Sequence, residues 1–328
     1  MDDSKLEERR KKVLILKTGY SELLDHRFDM NSSLGDVFRT TPLLHAYKEY
    51  HVTWVTDPKA FPLLRNNPFI DRLLPLDWLT AKQLSREDFD VFINLEKHLG
   101  ICVLASEISA LTRYGFGFRN GEYGLSIRAH DMATEALDIS TKPGTKKTNE
   151  KTIQDLLFEV VGKKWNGEEY VLGYKPKSKQ IYDVGLNTLV GTKWPTKAWP
   201  NYCWDTLESL FEMEGLKITR QDKVGREVLE DLDTYMDWIN SSKVIVTNDS
   251  LGMHLAIALK KKVLGLFGPT PVTEVYFYNC GKGIRPEDKY GCMPCMSTSC
   301  EAPYKTTCLR AVEPREVFSE TMKLLGTK

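Results

Sequence analysis

This chain has no excess charge of either sign, no long apolar run and no glycine-rich phosphate fingerprint, and each absence removes a class of function. With 45 basic and 45 acidic residues the formal net charge is zero, so no overall field draws the protein to nucleic acid or to an anionic membrane. A phosphate-bearing ligand must therefore be held locally. The longest apolar stretches, such as Val13-Leu14-Ile15-Leu16, are strand-sized, far below the ~20 residues that a membrane-spanning helix needs. Residues 1–12 are charged and lack the apolar core of a secretory signal, which predicts a cytoplasmic location; Arg9-Arg10-Lys11-Lys12 reads as a solvated lead-in. Neither a dinucleotide-binding glycine pattern nor a P-loop occurs. With only 22 Gly and 15 Pro the composition is neither collagenous nor disordered.

What is present is length enough for two hydrophobic cores: 328 residues against roughly 150 per domain. Strand-like runs at 13–17, 51–56, 72–75 and 90–95 alternate with helix-like segments at 37–47, 61–64 and 101–111. A second series follows, with strands at 182–189, 216–219, 243–247 and 262–267, helices at 204–214 and 251–260, and a closing amphipathic helix at 314–325. Such alternation predicts an α/β protein with parallel sheets wrapped by helices. Polar stretches at 140–150 and 162–168 place a boundary near 165, giving a first domain of 1–165, a second of 166–312 that carries a cysteine-rich loop at 291–308, and a closing segment of 313–328. In paired α/β halves, ligands bind in a cleft beyond the carboxyl ends of the strands.

Four groups of residues could carry chemistry. In Ser33-Leu34-Gly35-Asp36, Asp36 stands at the amino end of the first helix, either as a cap worth ~1 kcal/mol or as a carboxylate facing the cleft. The loop from Gly191 and Thr192 to Lys197 either cradles a diphosphate on backbone amides and an ammonium or forms a solvated turn. In Thr247-Asn248-Asp249-Ser250-Leu251-Gly252-Met253-His254 a buried strand runs straight into a helix, so Asp249, Ser250 and the free amides of Leu251 and Gly252 converge on a place suited to an anion or a sugar. His254 sits one turn in on an apolar helix, where a structural role suits it, and Thr270 follows the next strand on the same rim. Finally, Cys292, Cys295, Cys300 and Cys308 lie within one short segment. Four sulfurs from one loop fit a closed tetrahedral Zn or Fe site that staples the chain; disulfides and free thiols are the other readings.

The order of these motifs resembles glycosyltransferase family 9, the ADP-heptose:lipopolysaccharide heptosyltransferases, over residues 13–325. The likeness is carried by Leu34-Gly35-Asp36-Val37 with Arg39-Thr40-Thr41-Pro42, by Thr196-Lys197-Ala198-Trp199-Pro200, by Thr247-Asn248-Asp249-Ser250 with Met253-His254-Leu255-Ala256, and by Leu266-Phe267-Gly268-Pro269-Thr270. It implies a GT-B fold, two Rossmann-like αβα domains facing across a cleft, with the acceptor on the first, the nucleotide-sugar on the second and the closing helix packing back toward the first. It also implies an inverting transfer with no catalytic metal. By the same resemblance Asp36 would be the general base, with Lys17 and Arg39 on the acceptor side. Lys197 would neutralise the donor diphosphate beside Gly191 and Thr192. Asp249 would hold sugar hydroxyls, Ser250, Leu251, Gly252 and Thr270 would complete the donor side, and His254 would organise the loop.

The partners so implied are a nucleotide-diphosphate sugar, ADP-heptose, and a glycolipid or glycan acceptor met by a protein peripheral to the inner membrane, with no nucleic acid and no transmembrane segment. A transferase acting on protein acceptors, or a catalytically silent binding protein, would share these features. Two departures from the family pattern stand out: the long segment 19–33 beside Asp36, and Leu251 ahead of Gly252.

Overall fold

The structure, a computed structural model, describes residues 9–20, 30–121, 124–142, 144–224, 231–289, 291–300 and 308–326. Most of the long 19–33 segment, residues 21–29, and residues 301–307 of the cysteine loop lie outside the described residues. The chain forms two compact units, Met1–Asp138 with Asp155–Gly173, and Ile139–Gln154 with Tyr174–Lys328. In place of the single boundary expected at 165, the path passes from one unit to the other three times.

The first unit is built on a six-stranded sheet ordered β3-β2-β1-β4-β5-β6, from β1 (Lys12–Leu16), β2 (His51–Thr56), β3 (Arg72–Pro75), β4 (Asp88–Asn94), β5 (Ser109–Gly121) and β6 (Gly124–Ala129). All neighbours are parallel except β5 and β6, which are antiparallel. The unbroken apolar run of β1 suits a central strand covered on both faces, and Val13 to Leu16 are completely buried between β2 and β4. Because β2 lies on one side of β1 and β4 on the other, the sheet reverses its strand order here, and residues just past the ends of β1 and β4 gather at a topological switch point. The helix expected over 101–111 ends at Glu107, and the chain turns at once into β5. Gly115 makes that strand possible: at φ +84°, a Cβ there would lie 1.9 Å from the Asn94 carbonyl oxygen.

The second unit holds a five-stranded parallel sheet ordered β11-β10-β9-β7-β8, from β7 (Tyr182–Asn187), β8 (Ile218–Arg220), β9 (Ser242–Asn248), β10 (Lys262–Leu266) and β11 (Gly281–Ile284). Val184, Leu186, Val246, Leu264 and Leu266 form its core with Trp199, Trp204, Leu207 and Phe211. The closing helix Pro314–Leu325 lays Val317, Phe318 and Met322 on that same core, with the Phe318 ring 5.3 Å from Phe211.

Candidate active site

In the first unit, Asp36 is the third residue of the helix Leu34–Phe38, whose preceding residue, Ser33, makes no side-chain cap. The Asp36 carboxylate does not cap backbone amides either. It pairs closely with the Lys17 ammonium just past β1, and its other oxygen accepts from Arg39 Nε at 3.0 Å and Nη2 at 2.6 Å. Burial by itself would raise the Asp36 carboxyl, but the Lys17 and Arg39 cations outweigh it and hold the group far below the usual carboxylate range. Asp36 is therefore charged at any working pH. Lys17, placed on the acceptor side by sequence, is buried and shared: its Nζ also lies 3.2 Å from Glu96 Oε1. Burial would lower the Lys17 ammonium, but Asp36 and Glu96 raise it above its ordinary value.

Glu96 was not legible as a site residue. It follows β4, is completely buried, and accepts from the N–H groups of Thr18 and Gly19 at 2.8 and 2.7 Å. Asn94 fixes the turn that carries it, donating to the Glu96 carbonyl at 3.1 Å and accepting from the Glu96 N–H at 3.0 Å. The one signal that could have found Glu96 was its place at the carboxyl end of the best strand of this half.

In the second unit, Lys197 ends a short 3-10 turn, Pro195–Lys197, and reaches Asp249 with Nζ 2.8 Å from Oδ2 while lying over the Trp194 ring at 4.9 Å. Thr270 Oγ1 donates to the same Asp249 oxygen at 2.7 Å. Burial would raise Asp249, yet Lys197 draws it down to about 2, with a contribution from His254, which is buried on the helix Leu251–Ala258. The structure thus brings Lys197, Asp249, Thr270 and His254 together. Gly191 and Thr192 stand exposed at the start of the same loop.

Ser250 leads into that helix without capping it; its hydroxyl instead accepts from Asn187 Nδ2 at 2.9 Å, as does Thr247 Oγ1 at 2.7 Å. The Tyr235 hydroxyl donates to Asn187 Oδ1 at 2.6 Å, closing a buried polar node behind the strand-to-helix turn. Gly252 is what lets the helix sit down on this node, because a Cβ there would come within 2.3 Å of Tyr235 Oη and 2.5 Å of Asn187 Nδ2. Asn187 and Tyr235 were missed in the sequence because their roles depend on residues 48 and more positions away.

The cysteine loop borders the same rim. Thr196 Oγ1 donates to the Ser297 carbonyl at 2.7 Å, and the Met296 N–H to the Pro269 carbonyl at 2.9 Å. Among the described residues no disulfide joins any of the cysteines, and no three His, Cys, Asp or Glu side chains are assembled as a metal cage. The four loop thiols do feel one another: burial, then its neighbour Cys295, push Cys308 up to about 11.

Two αβα units, each with a charged cluster past the carboxyl ends of its central strands, have the make-up of a GT-B fold, the fold of the solved structures that this chain resembles. Over 98% of both chains the structure matches that of a family 9 glycosyl transferase from Veillonella parvula, at TM-score 0.66 and 19% identity. It matches ADP-heptose lps heptosyltransferase II of E. coli at TM-score 0.61 and 18% identity, over 96% of this chain and 98% of that one. In sequence, the profile of glycosyltransferase family 9 (heptosyltransferase) matches residues 230–305. Lipooligosaccharide heptosyltransferase 2 of Campylobacter jejuni is 31% identical over 81 residues, so the match spans a quarter of this chain and a quarter of that relative. In sequence the chain is thus similar to glycosyltransferase family 9 over the segment that holds the Thr247–Ala256 and Leu266–Thr270 motifs.

Proposed function

We propose that this protein is an inverting glycosyltransferase that moves heptose from ADP-heptose to a lipopolysaccharide core, with no catalytic metal. The observation that carries this reading is Asp36: a buried carboxylate at a sheet switch point, kept charged by two cations and not spent on capping its helix. A sugar hydroxyl is a poor nucleophile, and a carboxylate within about 3 Å of it can take its proton as the new bond forms. The acceptor oxygen attacks the anomeric carbon, its proton passes to Asp36, and the bond from that carbon to the diphosphate oxygen breaks, its electron pair leaving with ADP. Lys197 offsets the charge that develops on the leaving diphosphate, and Asp249, which holds Lys197 in place, also has an oxygen to offer a sugar hydroxyl.

The names of the relatives support the donor and the acceptor class, and the cytoplasm is the compartment we assign to the reaction. Among the described residues no helix is long and apolar enough to cross a membrane. Transfer is tested by mixing the protein with ADP-heptose and heptose-free lipopolysaccharide and following ADP release and the mass of the lipid. Asp36→Asn should lower turnover at least a hundredfold while ADP-heptose still raises the melting temperature. Full turnover by that variant would remove Asp36 as the base.

A structural Zn or Fe held by Cys292, Cys295, Cys300 and Cys308 is proposed from their spacing alone, and no step of the reaction is routed through it. The thiols as placed form no cage. Elemental analysis of freshly reduced, dialysed protein should give one metal per chain, and a metal-free result would reduce the loop to free thiols.

A further inference from the structure

The reaction written above leaves Glu96 without a task, although a carboxylate taken fully out of water is costly unless it is paired. Its pairing is specific: two backbone N–H groups on Oε1, and the Lys17 ammonium 3.2 Å from the same oxygen. Lys17 and Arg39 against Asp36 and Glu96 make a locally neutral set. Without the Glu96 charge, Lys17 would bear on Asp36 alone, and a base clasped by two whole cations is a weak proton acceptor.

We propose that Glu96 is a positioning residue for Asp36: it holds the Thr18-Gly19 turn through Oε1 and, sharing the Lys17 ammonium, offsets part of the positive charge on the Asp36 carboxylate, which can then accept the acceptor's proton. The inference rests on the reading of Asp36 as the base. The other charged or titratable groups around the pair do not compete with this role. Lys97 also lowers the Asp36 carboxyl, by less than Lys17 and Arg39 do. Tyr20 is raised above its ordinary range by burial and by donating to Asp57 at 2.7 Å, and its ring lies edge-on to His98 at 6.3 Å. Cys102, which donates to the Glu96 carbonyl at 3.3 Å, is pushed up to about 11 by burial. Tyr20 and Cys102 are therefore uncharged in the neutral range, and replacing Glu96 with glutamine there removes one charge and leaves those of Tyr20 and Cys102 as they were.

Glu96→Gln is the discriminating variant because its amide oxygen can still accept from Thr18 and Gly19. With ADP-heptose and heptose-free lipopolysaccharide, kcat should fall about tenfold while the KM for ADP-heptose stays within twofold. In the full-length protein, the solvent deuterium isotope effect on kcat should be larger in the variant than in the parent, because proton transfer to the weaker base limits turnover more. If Asp36→Asn is inactive but Glu96→Gln turns over like the parent with an unchanged isotope effect, Glu96 is only a structural brace and the inference fails. If Asp36→Asn is fully active, the reading of Asp36 fails and takes the inference with it.

Discussion

Asp249 and Lys197 form a pair whose strength can be read without any substrate. A carboxyl lowered to about 2 by a buried ammonium stabilises the folded state wherever it is ionised there and would be ionised unfolded. The sign follows: its folded value lies below the ordinary one near 4, so the contribution is complete above about pH 4 and is lost as pH falls from there toward 2. The drop amounts to about 2 kcal/mol. Urea unfolding of the parent and of Asp249→Asn between about pH 2 and 7 checks this, since the variant's curve should lack that part of the acid slope. At this scale the sequence was informative where a residue acts through its own place in the chain. Asp249 and Lys197 sit in recognisable strand-to-helix and loop contexts, and the structure joins them. Asp36 could be read either as a cap or as a base until its partners were visible. Glu96, Asn187 and Tyr235 stayed hidden because each works through contacts between segments that come together only in the folded chain.

Among the elements, β4 and β5 show how strictly one backbone position can be set. The two strands run parallel from Asp88 opposite Ser109 to Asn94 opposite Gly115. Gly115 combines a left-handed φ with backbone contact to Asn94, the residue whose side chain fixes Glu96. Gly115→Ala should cost about 3 kcal/mol, from strain and overpacking together, measured as a lower urea midpoint. Most strands were legible from their apolar runs, and β1, β9 and β10 lie within a residue or two of where the runs place them. The last strand was not: β11 reads Gly-Lys-Gly-Ile, with too little apolar character to announce itself. It forms because Gly281 admits close backbone contact with Val263 on the sheet edge.

For the whole molecule, balanced composition and alternating elements already pointed to two parallel-sheet halves, but not to how the chain is shared out between them. Residues 155–173 belong with the first sheet. Tyr170 stacks on Phe38 at 5.4 Å, the Val171 N–H meets Thr41 Oγ1 at 3.2 Å, and the Val171 carbonyl accepts from Asn67 at 3.0 Å. These contacts join segments more than a hundred residues apart, beyond the reach of any local pattern. Tyr170→Ala in the full chain should therefore destabilise the first unit by about 3 kcal/mol, seen in calorimetry as an earlier melting transition.

The interleaved path has a practical corollary for anyone who wishes to study either half alone. No single cut in the gene yields two intact pieces, because a break after codon 165 strips the amino-terminal product of Tyr170 and Val171, and a break after codon 138 takes the whole 155–173 stretch as well. The amino-terminal half would have to be made as residues 1–138 joined by a short engineered bridge to 155–173. The other half would need 139–154 grafted ahead of 174.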